Sequence, residues 1–176
     1  MEQNVNVWKA NLMNGLILGL IGVIYSLIVY FLDLSLNPIQ GYIFMVIQIV
    51  ILYYLVKSYR DNYMHGMISF GQALGAAIII CLYYSIIIAL FTYILYAFID
   101  PDLIDKTLAM AEEKLLERGL GQSQIDAAMS VQAKIMKPAF IAPMGIFGNM
   151  LQGLIMSLIV AAFVRKEGNP LVDNVE

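Results

Sequence analysis

Apolar residues gather along this chain into four long runs, Leu12–Leu32, Ile39–Val56, Ala73–Ile99 and Ala142–Val164, and none of them contains Asp, Glu, Lys, Arg or His. Crossing the hydrocarbon core of a bilayer takes roughly 20 apolar residues in a helix. Only a helix satisfies every backbone donor and acceptor within its own segment, so tracts of this kind must be helical in lipid. The pattern therefore predicts an all-α integral membrane bundle, one membrane domain over 1–176, with transmembrane helices at 12–32, 39–56, 73–99 and 142–164. The third run, 27 residues long, would measure about 40 Å as a straight helix. That exceeds the ~30 Å core, so it should tilt or protrude.

Between the runs the pattern changes. Asp33-Leu-Ser-Leu-Asn37-Pro38 is a short stop and restart, with Pro38 suited to the opening turn of the second helix, where a missing N–H costs nothing. The second run ends sharply at Lys57. Residues 57–72 mix Lys57 and Arg60 with Tyr59, Tyr63 and Phe70, as an interfacial turn that anchors helix ends would. A lipid-phosphate or partner contact is the functional alternative there.

Residues 100–141 are the one sizeable segment outside the runs. Asp100-Pro101-Asp102 has the order of a helix start, with Asp100 as N-cap, Pro101 at the first position and acid in the first turn. Ile104, Leu108, Ala111 and Leu115 form one apolar stripe, and Gly119-Leu-Gly121 should end that helix with a left-handed cap. Ser123-Gln-Ile-Asp126 resembles a capping box for a second helix, with Ile125, Met129, Gln132 and Met136 on one side. Pro138 and Pro143 should kink the chain into the fourth span. The expectation is an extracytoplasmic amphipathic helical hairpin over 100–141, packed on the bundle.

Composition agrees with lipid as the solvent. The 176 residues are 61% hydrophobic and 13% charged, with a mean hydropathy of +0.78, whereas a soluble domain is about one quarter charged. The net charge of −3 and the lack of a basic cluster argue against nucleic acid as a partner. The single Cys81 excludes an intramolecular disulfide and reads as a small buried hydrophobe. His65 stands alone, so neither a metal site nor a cofactor is expected. The first run is too long for the ~7–15-residue core of a signal peptide, and it is expected to stay as a membrane helix.

Basic residues beside the spans set orientation. Lys9, Lys57, Arg60, Arg165 and Lys166 fall on one side within a few residues of a span, and the first loop has none. The five basic residues of 100–141 accompany seven acids and lie mostly away from the spans, so both termini are expected in the cytoplasm.

Helices in lipid associate by close packing of small residues and by occasional hydrogen bonds. Gly15, Gly19 and Gly22 form such a seam in the first span, Gly71 and Gly75 at the start of the third, and Gly153, Ser157 and Ala161 in the fourth. Ser26, Gln48, Ser85, Thr92, Asn149 and Gln152 are the polar residues at depth, and Gln48, Asn149 and Gln152 are the candidates for a polar path. Tyr53, Tyr54, Tyr93 and Tyr96 fit aromatic belts, while the deeper Tyr83 and Tyr84 need hydroxyl partners.

Gly15-Leu-Ile-Leu-Gly19, His65-Gly-Met-Ile-Ser-Phe-Gly-Gln72, Ile99-Asp100-Pro101 and Ser157-Leu-Ile-Val-Ala-Ala-Phe-Val-Arg-Lys166 together resemble an uncharacterised membrane family of Bacteroidetes bacteria, the domain-of-unknown-function family DUF4199. The resemblance covers nearly the whole chain and implies a four-span inner-membrane protein of bacterial source, with no activity to carry over to any residue.

No Gly-x-Ser-x-Gly, His-Glu-x-x-His or paired intramembrane Asp occurs, so no catalytic residue is assigned and an enzyme is not expected. The leading reading is a non-enzymatic membrane protein acting through helix packing, with the bilayer and either a second copy or another membrane protein as partners. The alternative is a small transporter or channel subunit.

Overall fold

A computed structural model describes residues 6–167. Its elements are helical throughout: α1 (Val7–Phe31), α2 (Pro38–Tyr63), α3 (Phe70–Ile94) continuing as a π-helical turn (Leu95–Ile99), α4 (Asp102–Glu117), α5 (Gln122–Ile135) and α6 (Pro138–Val164). No strand forms among the described residues beyond one isolated bridge between Ile68 and Lys166. Four helices, α1, α2, α3 with its π turn, and α6, are long and apolar enough to cross a membrane. The chain is an all-helical, multi-pass membrane protein. The terminal residues lie outside the described range.

The helices are longer than the apolar runs, because hydropathy marks where lipid is the solvent while hydrogen bonds mark where a helix ends. The Asn6 side chain accepts from the N–H groups of Trp8 (3.1 Å) and Lys9 (3.2 Å), so α1 starts five residues before Leu12. Its far end closes with Asp33 in the left-handed region (φ 56°). The Asp33 N–H donates to Tyr30 O and the Leu34 N–H to Val29 O, the paired bonds of a Schellman motif. Pro38 opens α2 as expected, behind an Asn37 side chain that accepts from the Ile39 N–H. The expected stop at Lys57 is a change of solvent only, since α2 runs on to Tyr63.

The third span also begins earlier than Ala73. Ser69 Oγ accepts from the Gln72 N–H (3.3 Å) and Gln72 Oε1 accepts from the Ser69 N–H (3.0 Å), a reciprocal capping box. At its other end the long span gives up α geometry over its last five residues, and the Asp100 N–H donates to Leu95 O at 2.8 Å.

By its internal contacts the backbone forms two compact units, one reaching to Ile87 and resuming at Gly148, the other covering Ile88–Phe147. The first unit holds α1, α2 and most of α3 and α6. Tyr25 ties α1 to α2, its hydroxyl donating to Gln40 O at 2.6 Å and its ring lying 4.8 Å from that of Phe44.

The second unit holds α4 and α5. Asp100 is not the N-cap: α4 begins at Asp102, with Pro101 before it and no side-chain cap, while the Asp100 carboxylate lies 3.8 Å from Lys106 Nζ. The π turn already engages the Asp100 backbone, which leaves its carboxylate free to reach forward. Ile104, Leu108, Ala111 and Leu115 are half-buried, as their stripe predicts. Gly119 (φ 72°) ends the helix, its N–H on Leu116 O and the Leu120 N–H on Leu115 O. The second helix starts at Gln122, ahead of the expected Ser123 box. Gln124 Oε1 accepts from the Gly121 N–H at 3.3 Å, and glycine at the cap position leaves the return bond unmade. Ile125 is buried and Met129, Gln132 and Met136 are half-buried on the expected side. Pro138 sits in the first position of α6, where it starts the helix rather than kinking it, and Pro143 lies inside.

Candidate functional site: the helix seams

In the first unit, α3 is the element on which the others close. Ala73, Ala76, Ala77, Ile80 and Cys81 are fully buried along it. Against its flank lie Gly15 and Gly19 of α1. A methyl group on Gly15 would overlap Tyr83 Cβ, and one on Gly19 would overlap the Ile87 side chain. Both pairs have the same offset along the two helices, so α1 and α3 run side by side in one register. Gly22 is buried one turn further on.

Projected along that register, Gly71 and Gly75 fall at or before the first turn of α1. A side chain on either would meet nothing within 4 Å. These two glycines also lie on another side of α3: at 3.6 residues per turn Gly75 is rotated about 80° and Gly71 about 120° from Tyr83, away from the face that meets Gly15 and Gly19. The structure thus brings the α1 glycines onto α3 and leaves this third-span pair without a neighbour among the described residues.

On α6, Gly153, Ser157 and Ala161 are all buried. A Cβ on Gly153 would lie 2.8 Å from Cys81 Cβ. The Cys81 thiol reaches Ser157 Oγ at 3.8 Å and Gly153 O at 3.9 Å. Cys81 therefore acts as a small packing residue with a weak polar tip.

The polar residues at depth separate. Gln48 is buried on α2 (2% exposed), Asn149 is half-buried and Gln152 is exposed on α6. Ser85 is buried with its hydroxyl on Leu82 O at 2.8 Å. Sequence reading missed a polar group at the start of α1, because Asn11 precedes the first apolar run. Asn11 is fully buried, its Nδ2 donates to Val7 O, and its Oδ1 accepts from Asn14 Nδ2 at 3.1 Å. Tyr83 finds a hydroxyl partner nearby in Trp8 O at 3.4 Å. The Tyr84 ring is buried and stacks near Phe44 at 6.1 Å.

A second cluster joins the end of α6 to the connection between α2 and α3. Ile68 and Lys166 exchange two backbone hydrogen bonds of 2.9 Å each. Arg60 Nη1 donates to Val164 O at 3.1 Å, an orphan carbonyl at the helix end, while its Nε bonds Asp61 at 2.8 Å. His65 (φ 52°) and Gly66 (φ 81°) make the turn that brings Ile68 into place. Among the described residues, no three His, Cys, Asp or Glu side chains come together in a metal-holding group.

A family model described as a protein of unknown function, DUF4199, matches residues 13–166. The chain belongs to this family. No curated protein and no solved structure matches it. Two of the segments by which the chain resembles DUF4199, His65–Gln72 and Ser157–Lys166, are the partners in this clip. The first supplies the left-handed turn, the bridging Ile68 and the capping box of α3. The second supplies Ser157 against Cys81 and the bridging Lys166. In this structure both segments hold helix ends and a packed seam.

The second unit of this DUF4199 chain contains a cavity of about 560 Å³ lined by Ala128, Val131, Gln132, Ile135, Met144 and Gly145, among others. Its walls are apolar apart from the Gln132 amide. Groups that could perform acid–base or nucleophilic chemistry are missing from those walls.

Proposed function

We propose that this DUF4199 protein is a non-enzymatic, multi-pass protein of the bacterial inner membrane that works through helix packing with itself or with another membrane protein. Both termini are cytoplasmic in this reading. The second unit's α4 and α5 then form an extracytoplasmic hairpin, and the clip of Arg60, Ile68 and Lys166 faces the cytoplasm with the basic residues that favour that side.

The observation that carries the proposal is the closure of α1 and α6 onto α3. At Gly15, Gly19 and Gly153 the helices approach until no side chain fits, so a path for solute has no room along these contacts. No Asp, Glu, Lys, Arg or His interrupts the four apolar runs, and proton-coupled transport usually needs one. What this chain offers its surroundings is helix surface.

The alternative, a small transporter or channel subunit, draws on one feature. Gln152 is exposed, and in an oligomer it could line a path between chains. Crosslinking in native membranes tests the proposal: recurrent capture of the same chain or of one partner supports it, and a solitary monomer throughout overturns it. Reaction of a cysteine at position 152 with a water-soluble, membrane-impermeant thiol reagent would favour the alternative.

A further inference from the structure

Resting on that packing reading, we infer that the partner is a second copy of this chain, and that two α6 helices meet along Gly148, Gln152, Ile155, Ile159 and Ala162. The inference begins with where Gln152 lies. It sits near the middle of the 27-residue α6, at the depth where a spanning helix crosses the centre of the bilayer. It is exposed, among Leu151 (68%), Leu154 (42%) and Ile155 (63%). The side-chain hydrogen bonds of α6 to α3 run through Gly153 and Ser157 instead. An amide facing hydrocarbon is costly if nothing bonds it. Lipid tails offer no partner, so a side chain of this kind belongs against another helix.

The residues around it define which helix. Gly148, Gln152, Ile155, Ile159 and Ala162 are spaced four, three, four and three, and every one is exposed. That is the heptad spacing of a coiled-coil seam, with a single amide in an otherwise apolar or small row. At 3.6 residues per turn, the row lies about 130° around α6 from Gly153, Met156, Ser157 and Val160, the buried face that meets α3. The two faces do not compete. Gly148 has nothing within 4 Å of where its Cβ would be, and with Ala162 it gives the row small residues at both ends, where two backbones can draw close.

Topology then selects a second copy as the occupant. Two copies inserted in the same orientation have parallel α6 helices, related by a twofold axis along the membrane normal. In such a pair equivalent positions face each other in each layer. Position 152 meets position 152, and an amide is both donor and acceptor, so the pair satisfies itself. A row with a 3.5-residue period packs left-handed, at a crossing near +20°.

The experiment uses the full chain in native membranes. Single cysteines are placed at 152, 155 and 159 on the row and at 151, 154 and 158 beside it, all exposed positions, and a membrane-permeant oxidant is added. The unaltered chain is the control, since Cys81 is buried. The inference expects disulfide dimers at 152, 155 and 159, little at the other three, and none in the control. Gln152→Leu, of similar size, should weaken self-association by about 3- to 30-fold, the range for one interhelical hydrogen bond, and Gln152→Asn should restore part of it. Uniform crosslinking at all six positions, or none at the row, overturns the inference and leaves this face to lipid. A lysine-reactive crosslinker run in parallel separates the two failures. If it still traps a recurrent complex, the packing proposal stands and only this seam is wrong; if it traps nothing, both fall.

Discussion

Glycine does opposite things on two helices of this protein, and that contrast can be measured. At Gly15 a methyl would meet Tyr83 Cβ, an atom fixed to the backbone, so α1 and α3 must part to admit it. Gly15→Ala should cost about 1–3 kcal/mol, the usual range for overpacking. Gly75→Ala places its methyl in open space and removes the flexibility of a helical glycine, so it should be neutral or stabilising by up to about 1 kcal/mol. Thermal unfolding in a mild detergent compares the two variants, and equal damage from both would refute the packing in which Gly15 abuts α3 while Gly75 faces away from α1. The contact at Gly153 allows a sharper test. Gly153→Ala crowds Cys81 Cβ at 2.8 Å, and Cys81→Gly removes the atom it strikes. The double variant should be more stable than the sum of the two single losses predicts, by about 0.5–3 kcal/mol as for neighbours in contact. Strict additivity would mean that the two residues do not touch.

At the scale of the element, hydropathy located all four spans, yet it set their ends where lipid gives way to water. Backbone hydrogen bonding sets them elsewhere. Asn6, Asn37 and Ser69 each cap a helix, and all three were legible as residue types. Ser69-Phe-Gly-Gln72 even has the spacing of a capping box directly before the third run, a signal that hydropathy does not carry. The stripe of α4 and the glycine end after it were legible because period and left-handed geometry are local properties. The start at Asp100 was not, because the π turn that occupies its backbone arises from the segment before it. The polar pair Asn11–Asn14 escaped for a related reason: its burial depends on neighbours that no local pattern names. The cap at Ser69 gives this scale its prediction. Ser69→Ala should cost about 0.5–2 kcal/mol, concentrated in the first turn of α3. Hydrogen exchange should quicken at Gln72, whose N–H the hydroxyl accepts, with little change at Ile80 or Cys81. Acceleration spread evenly along α3 would mean that the cap holds more than its own turn.

For the whole molecule, the clip decides how the crossings are counted. Ile68 and Lys166 share two hydrogen bonds and Arg60 reaches Val164 O, so the α2–α3 connection and the end of α6 must lie on one side of the membrane. Three crossings beginning and ending elsewhere could not join these atoms, whereas α3 and α6, as one exit and one return, can. Orientation is a separate matter, resting on the basic residues that flank these ends. A membrane-impermeant thiol reagent distinguishes the two, applied to exposed positions in variants Asp33→Cys, His65→Cys, Glu113→Cys and Glu167→Cys, with Cys81 buried and silent. In intact spheroplasts, labelling is expected at 33 and 113 alone, with 65 and 167 reacting only after permeabilisation. If 65 and 167 label together from outside, the bundle stands and its orientation reverses. If they label from opposite sides, the bridge cannot exist in the membrane, because no backbone hydrogen bond of 2.9 Å spans a bilayer about 30 Å thick.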